Sequence, residues 1–226
     1  MTEGKKCKIK VVKNGPYLVS GNVPLFEKTI IPKGNGFVFT DIKEYESKST
    51  YGLCRCGNSK NPPFCDGAHV KENFDGSETA SKDTYLDRAD VICGPDLDLY
   101  DDNRCALAKF CHREIGDAWE LTEESNEEVK KEEAIIAAKE CPAGRLTAKD
   151  KDGNFIEPKH EAAIDVLQGP IEGNSGGLSV KGYIELEAAD GTVYELRNRY
   201  VLCRCGKSSN KPFCDATHVI CQFVDK

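Results

Sequence analysis

The sequence predicts an α+β protein: two β-rich modules at the ends of the chain, packed with pseudo-twofold symmetry, and a small α+β insert between them. Three observations carry this. Residues 51–69 return as residues 200–218, an offset of 149 that is kept through the whole stretch. Short runs of alternating apolar and polar residues bounded by Gly, Pro and Asn surround both copies. Between them, residues 83–150 differ in composition, holding the only Trp (Trp119) and a run rich in Glu, Lys and Ala. The boundaries expected are 1–82, 83–150 and 151–226. Each terminal module is too small to bury an adequate core alone, so the two are expected to pack together in a monomer with internal pseudosymmetry.

Taken in order, Lys5, Lys6, Lys8, Lys10 and Lys13 form a basic run, read as the polar face of an exposed strand or as a loose end. Residues 17–23, 36–40 and 50–54 read as strands leading to the first copy, and 71–81 as a linker. Residues 122–139 have helix-forming composition, with Thr122 and Ser125 as N-caps, Pro142 beyond the end and the acidic run 120–133 as the solvated face. Residues 151–161 read as a second linker. Gly15-Pro16 is echoed by Gly169-Pro170, and the glycine-rich 173–177 reads as a loop. Residues 182–186 and 192–196 flank Asp190-Gly191, a tight-turn signal for a hairpin.

Hydrophobic residues make up 39% and charged residues 31%, a balance that suits small modules held partly by something other than apolar burial. The formal net charge of −7 argues against nucleic acid or an anionic membrane as a partner. Twelve cysteines stand out. Residues 1–12 have no apolar h-region, and no run approaches the ~18 apolar residues of a membrane span. A reducing cytoplasm, and with it a prokaryotic chain, is therefore expected. Closely grouped cysteines in that setting bind metal more often than they form disulfides.

Six of the twelve cysteines and two of the four histidines fall inside the repeat. Cys54-Arg55-Cys56 puts two thiols on one side of an extended chain. A loop shaped by Gly57, Pro62 and Pro63 leads to Cys65 and His69, which share a face if a helix opens after Asp66, with Asp66 in the cap region. Cys203, Cys205, Cys214 and His218 repeat the pattern. Three Cys and one His would also suit zinc, although structural zinc sites more often use Cys-x2-Cys, so spacing leaves a cluster and zinc both open. The run from Cys54 to His69 resembles the CDGSH (NEET) iron–sulfur domain family, C-x-C-x2-[ST]-x3-P-x-C-D-G-[SAT]-H, at every position. The second copy departs only at Ala216, where the family has Gly and where backbone freedom is therefore in question. The resemblance spans about 55 residues at each end. It implies a [2Fe–2S] cluster per copy, one iron on Cys54 and Cys56 and the other on Cys65 and His69, with Cys203, Cys205, Cys214 and His218 serving the second. A neutral imidazole in place of a thiolate should raise the potential and make each cluster acid-labile. Arg55 and Arg204, between ligands, are read as tuning charge or partner docking, or as solvated.

Cys105, Cys111 and the remote Cys141-Pro142 keep the spacing of a bacterial ferredoxin site, with Ala108 in the middle ligand position. The segment resembles divergent single-cluster ferredoxins lacking one ligand. That implies a [3Fe–4S] cluster, or a [4Fe–4S] cluster with a substitute ligand, for which Cys93 is the candidate; unligated buried cysteines in a helical spacer are the alternative. His112 is not assigned as a ligand, and Cys7, Cys221 and His160 match no motif. No nucleophilic triad, phosphate loop or dinucleotide fingerprint is found, so no substrate-level enzyme is expected. The functions expected are electron transfer with redox partner proteins or, alternatively, a redox or pH sensor or a cluster transfer or storage protein acting on apo acceptors.

Overall fold

The computed structural model describes residues 6–169 and 173–225, with residues 41 and 42 described in backbone alone. Lys5 of the basic run and Pro170 of the Gly-Pro echo lie outside the described residues. The chain is mixed α+β, mostly strands in four sheets with a few short helices.

The N-terminal part gives β1 (Lys8–Val11), β2 (Tyr17–Ser20), β3 (Leu25–Lys33), β4 (Gly36–Tyr45), β5 (Thr50–Leu53) and the single turn α1 (Ala68–Lys71). The insert follows with α2 (Tyr85–Arg88), β6 (Asp90–Cys93), β7 (Leu97–Asp101), β8 (His112–Arg113), β9 (Gly116–Asp117), α3 (Ala118–Glu123), α4 (Glu128–Glu140), β10 (Leu146–Asp150) and β11 (Phe155–Ile156). The C-terminal part gives β12 (Ala163–Gly169), β13 (Asn174–Lys181), β14 (Glu185–Glu187), β15 (Arg199–Leu202) and α5 (Thr217–Ile220).

The two ends of the chain do not keep separate sheets. One sheet has the order β14-β1-β2-β5 and another β15-β13-β12-β3-β4, so each takes strands from both ends. Both exchanges are parallel, β1 with β14 and β3 with β12. Charge selects the first of them. Ile9 and Val11 point into the core while Lys8 and Lys10 face out, opposite Glu185 and Glu187 in register. Lys10 reaches Glu187 at 2.8 Å, and Lys8 bridges Glu187 and Glu185. The basic run is thus the polar face of a strand, neutralised by acids from the far end of the chain. One core joins the halves: Ile9, Tyr17, Leu25 and Leu53 pack with Ile164, Leu178, Ile184 and Leu202.

The insert has its own core. α3 and α4 lie on the sheet β11-β10-β7-β6 and bury Leu121, Ala134, Ala137 and Ala138 against Leu97, Leu99, Leu146 and Ala148. The single helix expected over 122–139 is two. Asp117 caps α3 in a capping box with Glu120, and α4 restarts after a turn. Neither expected cap is used: the Thr122 hydroxyl donates to the Ala118 carbonyl, and buried Ser125 accepts from the Asp96 N–H. The expected hairpin at 182–196 is kept in reduced form: β14 and one bridge, Glu187 to Val193, with the Ala188 N–H donating to the Thr192 carbonyl and the Tyr194 N–H to the Leu186 carbonyl. The reading of 173–177 as a loop is corrected. Residues from Asn174 onward form β13, where a Cβ on Gly177 would stand 2.5 Å from Val201 and 2.7 Å from the Leu202 carbonyl. Glycine is there because β15 approaches too closely for a side chain.

Candidate iron–sulfur sites

The two motifs are built bond for bond alike. β5 ends at Cys54, whose N–H donates to the Pro63 carbonyl at 2.8 Å, while Cys65 N–H returns to the Gly52 carbonyl at 2.9 Å. The Ser59 hydroxyl donates to the Phe64 carbonyl, and Asp66 accepts from the N–H groups of Lys60 and Ala68. In the second copy Cys203 donates to Pro212, Cys214 to Val201, Ser208 to Phe213, and Asp215 accepts from Ser209 and Thr217. Burial alone would raise the Asp215 pKa, but those hydroxyl and amide donors lower it to about 2. The helix expected after Asp66 exists as the single turn α1, entered through Gly67 at φ 88. Its counterpart enters through Ala216 at φ 68, so the departure from the family residue places an alanine in the left-handed region.

The donors fall into pairs. Cys54 and Cys56 sulfurs are 3.8 Å apart, Cys203 and Cys205 3.7 Å. Cys65 Sγ lies 3.4 Å from His69 Nδ1, and Cys214 Sγ 3.4 Å from His218 Nδ1. Two sulfurs at ~2.3 Å from one tetrahedral metal stand ~3.8 Å apart, and a sulfur and an imidazole nitrogen ~3.6 Å. Each pair therefore fits one tetrahedral metal. Among the described residues no group of three or more His, Cys, Asp or Glu gathers about one ion. Four donors arranged as two such pairs suit a binuclear centre. Within each Cys-x-Cys pair the first thiol is lowered, chiefly by the S–H of its partner and then by loop N–H groups, despite burial. Burial raises Cys65 and Cys214 and lowers His218, the last helped by Arg204.

Neither arginine is solvated. Arg204 donates to the carbonyls of Gly176 and Leu167 and pairs with Asp225. Arg55, 2% exposed, donates to the Gly76 carbonyl between the rings of Tyr17 and Phe74, while Nε and Nη1 have no partner. Such buried, unanswered donors beside two ligands suit an anionic group in the site.

In the insert, Cys105, Cys111 and Cys141 line one cavity together with Ala108 and Trp119. Its loop has left-handed residues at Leu107 (φ 53) and Lys109 (φ 64), and the Leu107 N–H donates to Cys105 Sγ at 3.3 Å. Burial pushes the Cys111 thiol up to about 12 and raises Cys141. Cys93 is not brought to this cavity; it stands exposed at the end of β6, opposite Asp98. His112 is exposed, Cys7 bonds the Gly21 carbonyl, Cys221 the His218 carbonyl, and His160 is lowered by burial and by Lys181.

Arg199 was not singled out by the sequence. It is 3% exposed and donates to the carbonyls of Ala138, Lys139 and Cys141, closing the end of α4 just where Cys141 is presented, and pairs with Glu157. In sequence it sits among Arg197 and Asn198 and looks like surface; only its place directly before the repeated segment 200–218 hints otherwise.

Fold and site define a cysteine-rich protein with two sites of paired donors and one cavity lined by three cysteines. Residues 14–70 and 175–219 match the iron-binding zinc finger CDGSH type, and residues 92–151 match the divergent 4Fe-4S mono-cluster family. The chain carries two CDGSH iron-binding motifs flanking a divergent 4Fe-4S mono-cluster domain, and these imply iron–sulfur cluster binding. No curated protein and no solved structure matches the chain. Among the described residues no helix is long and apolar enough to cross a membrane.

Proposed function

We propose that the chain is an electron carrier holding two [2Fe–2S] clusters and a third, larger one. Cys54 and Cys56 would hold one iron of the first cluster and Cys65 and His69 the other. Cys203 with Cys205, and Cys214 with His218, would do the same in the second. Cys105, Cys111 and Cys141 would hold a [3Fe–4S] cluster, or a [4Fe–4S] cluster with a non-cysteine fourth ligand, since Ala108 offers no donor. When bound, such groups supply reversible one-electron chemistry. The protein's part is to fix the donors, exclude water and set the local charge.

The observation that carries this reading is the two-and-two pairing of donors at tetrahedral-edge distances. The reading includes a monomer in which the two motifs are related by a pseudo-twofold axis, supported by the reciprocal strand exchange. It assigns no substrate-level catalysis, gives the chain redox proteins as partners, and favours a reducing cytoplasm, in keeping with twelve unpaired cysteines. Iron, sulfide and zinc per chain on anaerobically purified protein, with visible and EPR spectra, test the cofactors. About seven or eight irons without zinc are expected; two zincs on a colourless protein would sink the proposal. Fast, reversible reduction by a protein donor tests the carrier role.

One observation favours a second reading, a sensor or cluster donor: Cys65 and His69 are only half-buried, whereas Cys214 and His218 are buried. Handover of the N-terminal cluster to an apo acceptor, faster than reduction, would select it.

A further inference from the structure

The three donor sets adjoin one another in a definite order. Gly57 follows Cys56 and lies against the second motif. A methyl there would come within 2.6 Å of the Cys205 carbonyl, and one on Gly206 within 2.5 Å of the Cys56 carbonyl. The two Cys-x-Cys loops thus run backbone to backbone with no side chain between them. On its other flank the second motif meets the insert. Ala106, next to Cys105, packs in one patch with Cys214, Val201 and Ala143, the last two residues beyond Cys141. Residues 106–109 and His218 also line a common cavity of about 40 Å³. The Cys203 and Cys205 side therefore faces the first motif, and the Cys214 and His218 side faces the insert. Exposure follows the same order. The second motif's four donors are at most 5% exposed, while Cys65 and His69 of the first and Cys105, Cys111 and Cys141 of the insert are only half-buried.

We propose that the C-terminal motif is the internal link of a line of three sites, with the insert at one end and the N-terminal motif at the other. The use of this line rests on the electron-carrier reading; its geometry does not. One electron at a time, supplied by a one-electron donor protein and removed by a one-electron acceptor protein, would cross between the ends through the C-terminal donors. Each transfer oxidises one site by one electron and reduces the next by one, with no bond made or broken.

EPR of the fully reduced holo-protein tests the order. His69→Cys and His218→Cys each move their own signal and so assign the two motifs. The C-terminal signal is expected to show coupling to two neighbours and the N-terminal signal to one. Cys111→Ser, which removes a ligand from the insert, should abolish one coupling at the C-terminal signal and leave the N-terminal signal unchanged. A change confined to the N-terminal signal, or no change at either, would overturn the proposal. Because Cys111→Ser can fail to fold, a second measurement uses the unaltered protein with a soluble lanthanide chelate as relaxing agent. The N-terminal signal should relax more strongly than the C-terminal one, and equal or reversed relaxation would also overturn it. Couplings as expected with slow, irreversible reduction would leave the line standing and remove the carrier role; fast reduction without the couplings would do the reverse.

Discussion

A methyl group added at Gly57 should damage the protein through its contact with the other motif. Gly57 has φ +78, where an alanine costs ~1–2 kcal/mol in backbone strain alone. Its Cβ would also sit 2.6 Å from the Cys205 carbonyl oxygen and 2.9 Å from the carbonyl carbon. These are backbone atoms of a ligand residue and cannot swing aside as a flexible side chain could, so an overpacking cost of ~1–3 kcal/mol is added. The sum, ~2–5 kcal/mol, is a large part of the ~5–15 kcal/mol that holds a typical domain folded. Gly67 is the control. It has φ +88, but nothing lies within 4 Å of its added Cβ, so Gly67→Ala should pay only the backbone strain. The two variants then differ by the contact alone, roughly 2–12 °C in melting temperature at ~2–4 °C per kcal/mol for a chain of this size. Melting followed by far-UV circular dichroism and by visible absorption gives both numbers. Gly57→Ala should in addition loosen iron held at the C-terminal motif. Equal melting shifts for the two variants would refute the close approach of the loops.

Other outcomes follow from single residues. Ala216→Gly should stabilise the chain by about 1 kcal/mol, relieving ~1–2 kcal/mol of left-handed strain at φ 68 against ~0.4–1 kcal/mol of added chain entropy; a lower urea midpoint would show that the methyl packs usefully. Arg55→Gln removes a buried cation that has no ion pair among the described residues and feels only the longer-range charge of Asp75, so it should lower the reduction potential, by ~60 mV for each ~1.4 kcal/mol of lost interaction. Arg204 is balanced by Asp225, so Arg204→Gln should shift it less, and equal shifts in a redox titration would count against this charge accounting. Asp101 accepts from Arg145 at 2.6 and 2.7 Å, and against the burial that would raise its pKa these bonds and the Asn103 N–H hold it below the usual range. Its stabilisation is present above the unfolded pKa of ~3.9 and lost as pH falls through the lower folded value; Asp101→Asn should cost about 3 kcal/mol at pH 7 and flatten that acid dependence in urea unfolding.

The ligand sets were legible because they lie within sixteen residues of one another and recur in register; local spacing sufficed to name Cys54 to His69 and Cys203 to His218. The positions of β2 and β5 were readable for the same reason, as alternation is a local signal. The strand exchange was not. Lys8 and Lys10 show a polar strand face, but nothing near them in sequence says that Glu185 and Glu187 lie opposite. β13 was hidden because Gly176 and Gly177 have no side chains to alternate, and the reason for them, the approach of β15, is tertiary. The burial of Arg55 and Arg204 was equally unreadable, since an arginine between two ligands has the same sequence whether its guanidinium meets water or a carbonyl. Cys93 shows the opposite failure: spacing made it a candidate, and the pairing of β6 with β7 carries it to the surface.

Two motifs with the same ligands and the same loop bonds are made unequal by what is inserted between them. The same loop bonds hold Cys65 with His69 and Cys214 with His218, so within their own motifs the two pairs are equal. The insert removes that equality on one side only. Arg199 ties the end of α4 to β15, Gly144 lies so near the Arg199 carbonyl that a side chain would come within 2.5 Å of it, and the loop after Cys105 is thereby laid over Cys214 and His218. The contact that shields the second imidazole is the same one that brings a third set of cysteines beside it. Shielding and adjacency are thus a single consequence of packing, and a change that lifts the insert should lose both at once.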